Sequence, residues 1–173
     1  GQFNNISSLQ EYWISNYDDL KDESTNFTEC FFSMTLPKEV VDAVSSNLSI
    51  LKSPTVQRQT DGKLWAWEGC FDDGGCCAGS CTHVWNYAQA LPHLFPDLER
   101  SLRDTEFFFN QNDKGHQDFR AQLPISQNTH VFHSAVDGQL GGIMKIYRDW
   151  RISGNNDWIE KYWEKIEKSI NYS

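Results

Sequence analysis

Apolar residues return at helical spacing over residues 8–22, through Leu9, Trp13, Tyr17 and Leu20, which predicts a first amphipathic helix. Phe27, Phe31 and Phe32 carry the pattern over 25–34. A third helix is predicted from Pro37, with Val40, Val41, Val44 and Leu48 along one side. Proline suits a first turn because the N–H it lacks would have no intrahelical partner there. The period then changes, and two extended runs at 55–59 and 63–67 flank Asp61-Gly62, a β-hairpin signal. A Gly- and Cys-rich loop is expected over 69–81. Residues 82–110 read as mostly helical, with breaks at Pro92 and Pro96 that should end one helix near Leu91 and start another at Pro96. Residues 111–136 are polar and irregular, with a short strand expected at 118–123. Two last helices follow at 138–152 and 156–171, divided by Ser153-Gly154. About seven helices and one hairpin, with no βαβ alternation and no fixed repeat, describe a mainly α chain, a toroid or a slice of one.

Charge on the helices reads as solvated surface. Glu99–Arg103 and Arg100–Asp104 are i,i+4 pairs on one helix, and the last helix alternates Glu160, Lys161, Glu164, Lys165, Glu167 and Lys168. Its Trp158, Ile159, Trp163 and Ile166 are expected to face inward.

Composition narrows the class. A chain of 173 residues with 39% hydrophobic and 14% aromatic residues can bury a core of its own. Its net charge of −9 argues against nucleic acid, which needs a basic face, and fits a neutral substrate better than an anionic one. No apolar run approaches the ~20 residues of a membrane span. No basic-then-apolar leader stands at the N-terminus. A cytoplasmic location is the expectation, with secretion or a periplasmic site left open, and no cofactor is called for.

The candidate chemistry centres on Glu68, at the exit of the apolar run Leu64-Trp65-Ala66-Trp67 and just before Gly69. A carboxylate held there by a rigid element beside indoles has the setting of a glycosidase nucleophile or acid, although a Glu capping a hairpin end would look the same. Around it, Trp67-Glu68-Gly69, Thr82-His83-Val84-Trp85-Asn86-Tyr87 and Leu94-Phe95-Pro96-Asp97-Leu98-Glu99 resemble, in order, segments of glycoside hydrolase family 116. Downstream, Asp137-Gly138-Gln139-Leu140, Tyr147-Arg148-Asp149-Trp150 and Ser153-Gly154 continue the resemblance across residues 64–172.

The resemblance implies a retaining hydrolase acting on β-glucosides or related β-linked sugars, on an (α/α)6 barrel, with Glu68 as nucleophile. It implies that residues 1–173 are an N-terminal portion of the catalytic domain. The acid/base Asp would lie beyond Ser173, so this chain alone would be inactive and its partners would be a carbohydrate and the rest of that domain. A partial toroid should also expose helix faces meant for absent neighbours. His83 stands where the family has an Asp that contacts the sugar. With Trp67, Thr82 and Asp137 it makes up the expected substrate-binding set, although Thr82 and Asp137 also suit helix N-caps. His130, His133 and Arg120 are further loop candidates.

The cysteines allow another reading. Cys70, Cys76, Cys77 and Cys81 fall within twelve residues, ahead of His83. Thiolates with an imidazole suit Zn²⁺, yet the spacing lacks paired Cys-x2-Cys clips, so the four stand as weak metal candidates, beside a local disulfide or plain buried thiols. The competing functional class is a non-catalytic carbohydrate-binding or interaction domain stapled at this loop.

Overall fold

The computed structural model describes residues 2–127 and 132–173. The chain forms two compact units, Gly1–Ser49 and Ile50–Ser173. The first contains α1 (Ile6–Ser15), α2 (Tyr17–Phe32) and α3 (Lys38–Leu48). Asn5 and Ser8 start α1 with a reciprocal cap: Asn5 Oδ1 accepts from Ser8 N at 2.8 Å, and Asn5 N donates to Ser8 Oγ at 3.3 Å. This satisfies two backbone donors that the first turn would otherwise leave bare. Asp18 and Asp19 lie in the first turn of α2, where negative charge complements the helix dipole. Phe31 and Val41 are the buried apolar residues of this unit.

The second unit opens with an antiparallel sheet of order β1-β2-β3, comprising Val56–Arg58, Leu64–Phe71 and Gly74–Ala78. The Asp61-Gly62 turn forms as predicted, with Gly62 at φ +86°, a conformation glycine adopts without steric cost. The expected loop 69–81 is corrected: β2 runs on to Phe71, and Gly74–Ala78 pairs back on it as a second hairpin. Trp67 explains Gly75, where a Cβ would strike the Trp67 ring at 2.6 Å.

The helices that follow are α4 (Thr82–Trp85), α5 (Ala90–Leu94), α6 (Pro96–Asp104), α7 (Val136–Ser153), α8 (Asn156–Glu160) and α9 (Trp163–Tyr172). Pro92 does not end a helix. It lies in the first turn of α5, where its missing N–H interrupts nothing. Pro96 does open α6. That helix continues into a single π turn, Thr105–Phe109. Gly154 closes α7 in the left-handed conformation at φ +64°. No strand forms at 118–123; among the described residues of this stretch only Gln111 and Gln117 bridge. Buried glutamines hold this irregular stretch instead. Gln111 Nε2 donates to Lys165 O and Ser169 Oγ at 2.7 Å each, and Gln139 Oε1 accepts from Gln117 N at 3.0 Å.

Two apolar clusters fill the unit. One joins Leu64 and Ala66 of β2 to Trp85, Leu91 and Leu102; the other joins Phe107, Ile146, Trp158, Tyr162 and Ile166. Trp163 is exposed rather than inward-facing, because the chain turns between α8 and α9 and breaks the predicted single helix.

The Glu99–Arg103 pair is not solvated either. Both side chains are buried, and Glu106, Lys145 and Asp149 are buried with them. Arg103 Nη2 donates to Glu106 Oε1 at 2.7 Å, Lys145 Nζ to the same oxygen at 3.1 Å, and Arg148 Nη2 to Glu99 Oε1 at 2.6 Å. Charges from α7, more than forty positions along the chain, make the burial of α6 tolerable, since buried ions persist only when paired.

Along α7, Val136, Leu140, Met144 and Tyr147 remain exposed at spacings of one helical face. No helix among the described residues is long and apolar enough to cross a membrane.

Candidate functional site

Strand β2 carries Glu68 at a rigid position, and the β2–β3 register sets it opposite Cys77. The pleat sends Glu68 to the same face as Leu64 and Ala66, while Trp67 points to the other. Trp67 therefore stacks edge-on with Trp65, at 5.4 Å between centroids, and lies over Gly75. Trp85 is core, its indole donating to Trp67 O at 3.2 Å.

Glu68 is 22% exposed and pairs with Arg120, Nη2 to Oε1 at 3.3 Å. Arg120 is delivered by backbone docking: Thr82 N donates to Phe119 O at 2.9 Å, and Ala121 N to Gly79 O at 2.8 Å. This approach needs a glycine, because Gly79 has φ +104° and a Cβ there would meet Ala121 O at 2.6 Å.

Cys81 lies fully buried beside the pair. Burial pushes its thiol pKa up, and the hydrogen bond to Glu68 pushes it the same way. Burial works against the charge of Arg120, but contacts with the Cys81 and Cys77 thiols outweigh it and raise that pKa. The Cys76 thiol is raised mainly by its contact with Cys77, whose Sγ lies 3.2 Å away.

His83 stacks on Phe119 at 5.5 Å, with its Nδ1 3.7 Å from Asp137 Oδ1. Close helix packing creates this pairing. A Cβ at Gly138 would collide with Thr82 Oγ1, and one at Gly141 with the Asn86 amide, so the glycines let α7 ride directly on α4. Gly138→Ala should force these helices apart and cost about 1–3 kcal/mol as overpacking. Urea unfolding that gives the same midpoint for variant and parent would refute this.

Neither expected cap is made. Thr82 begins α4 with its hydroxyl unpartnered among the described residues, and Cys81 occupies the cap position. Asp137 sits inside the first turn of α7 after Ala135, accepting from Gly138 N at 2.9 Å. His133 approaches Phe119 at 6.5 Å and extends the aromatic wall. His130 lies outside the described residues.

The structure thus gathers Glu68, His83 and Asp137 with Arg120, Phe119 and three thiols. Phe119 escaped notice in the sequence, where only the apolar-basic pair Phe119-Arg120 within a polar stretch hinted at it. Cys70 stays outside, two residues beyond Glu68 and opposite Gly75. All five cysteines are free thiols. No family model matches this chain, and no curated protein does.

Proposed function

We propose that this chain is part of a retaining glycoside hydrolase acting on β-glucosides or related β-linked sugars, with Glu68 as its nucleophile. The observation that carries the reading is the setting of Glu68. Its carboxylate projects from within a rigid strand, three residues before β2 ends at Phe71, keeps partial access to solvent, and is paired with Arg120 beside the His83–Phe119 wall. In retaining hydrolysis one carboxylate attacks C1 while a second carboxyl group, about 5–5.5 Å away, protonates the leaving oxygen. That second group would come from the remainder of an (α/α)6 domain, and the exposed apolar stripe on α7 suits a helix of such a barrel. His83 can donate to and accept from sugar hydroxyls, with Asp137 behind it.

An activated fluoroglycoside tests the assignment without the missing acid, because dinitrophenolate leaves without protonation. Dinitrophenyl 2-deoxy-2-fluoro-β-glucoside should add one fluoroglycosyl group to the peptide bearing Glu68, and none after Glu68→Gln. Labelling of a different residue, or undiminished labelling of the Gln variant, would overturn it.

A further inference from the structure

We propose that Glu68, Cys81 and His83 form a binding site for a thiophilic divalent cation, with Zn²⁺ the best fit. We further propose that the cation competes with sugar for the Glu68 carboxylate, an additional step that rests on the glycosidase reading. The binding itself does not.

One carboxylate oxygen, one sulfur and one imidazole nitrogen lie within 4.8 Å of one another. Tetrahedral zinc, with bonds of 2.0–2.3 Å, sets its ligands about 3.5 Å apart. Side-chain rotation of about an ångström closes that gap. Sulfur and nitrogen donors favour zinc over magnesium or calcium. Three protein donors leave a fourth position open for water, as in catalytic rather than structural zinc sites.

The surroundings fit as well. Asp137 Oδ1 stands 3.7 Å from His83 Nδ1, beyond hydrogen-bond length; closing that distance on binding would let an outer carboxylate orient the imidazole with its other nitrogen toward the metal. Binding replaces the Cys81 thiol proton by a metal–sulfur bond and releases that proton to solvent. Charge then balances: two positive units on the cation and one on Arg120 meet one negative unit each on Cys81, Glu68 and Asp137. Cys76 and Cys77 also approach Glu68 within 4.8 Å, as a separate group.

The test is titration of the reduced, metal-free full chain with Zn²⁺ against a chromophoric chelator, with Cd²⁺ used to read sulfur-to-metal charge-transfer absorption. One equivalent should bind with about one proton released. Cys81→Ser and His83→Ala should each weaken binding at least tenfold, and Asp137→Asn about tenfold. Cys70→Ser should change nothing. Far-UV circular dichroism separates lost ligands from lost fold, and partly exposed His83 gives a variant with less packing to lose than buried Cys81. Absence of charge-transfer absorption overturns the proposal. So does full affinity in Cys81→Ser, which would move the cation to Cys76 and Cys77. Fluoroglycoside labelling of Glu68 should be blocked by Zn²⁺ and restored by chelation. Failure to label in metal-free protein counts against the glycosidase reading alone, and labelling undiminished by bound Zn²⁺ overturns the competition.

Discussion

Replacing Arg103 with methionine is expected to remove about 3–5 kcal/mol of stability, the loss typical when one partner of a buried ionic network disappears. Arg103 is fully buried between two acids, 2.7 Å from Glu106 Oε1 and 3.7 Å from Glu99 Oε1. Methionine fills much of the volume, so the loss reflects uncompensated charge rather than a cavity. Glu99 would keep only Arg148, and Glu106 only Lys145. With a urea slope of about 2 kcal/mol/M the midpoint should fall by about 2 M. Adding Glu106→Gln should recover part of the loss, because it removes one of the stranded carboxylates. By contrast, Glu164→Gln on α9 breaks an exposed pair with Lys168 and should leave the midpoint where it was. An Arg103→Met midpoint within a few tenths molar of the parent would show the network to be inconsequential.

This same network marks where the sequence misleads. Glu99 and Arg103 at i,i+4 look like a solvated stripe, because a helix read alone cannot reveal what will cover it. Lys145, Arg148 and Asp149 cover it from α7, and their Tyr147-Arg148-Asp149-Trp150 context gives no sign of burial. Where local chemistry decides, the reading held. Asp61-Gly62 specifies a turn through the positive φ of Gly62, Pro96 opens α6, and Gly154 ends α7. Strand β3 was illegible for the opposite reason. Gly74-Gly75-Cys76-Cys77-Ala78 has little intrinsic preference for extension, and its pairing with β2 and the Trp67 ring above Gly75 impose it. The site divides along the same line. Glu68 and His83 stand out as candidates by residue type, and the structure brings the two together with Cys81. Arg120, fifty-two positions from Glu68, reaches it only through backbone docking at Gly79 and Thr82.

Lys145 should make stability rise with pH in an alkaline window where most proteins gain nothing. Burial pushes its pKa down from 10.5 to about 8; repulsion from Arg103 adds to this, and Glu106 and Glu99 oppose it. Between pH 8 and 10.5 the unfolded chain therefore binds a proton that the folded chain has released. Stability must increase wherever the unfolded state holds more protons, here by up to about 3 kcal/mol across the window. Groups with raised pKa act in the opposite sense, the Cys76 thiol and Lys168 among them. The Tyr162 phenol, raised by burial and by its hydrogen bond to Asp104, keeps its proton in the fold after the unfolded chain has lost it. The raised Cys81 thiol does the same. Comparison with Lys145→Met cancels all of these, since they are common to variant and parent. The stability of the parent relative to Lys145→Met, from urea unfolding at pH 7 to 10, should grow steadily above pH 8. Parallel curves would mean that Lys145 titrates as it does in the unfolded chain. In an Arg103→Met background the growth should shrink, because removing the guanidinium lifts one of the two causes that hold the Lys145 pKa down.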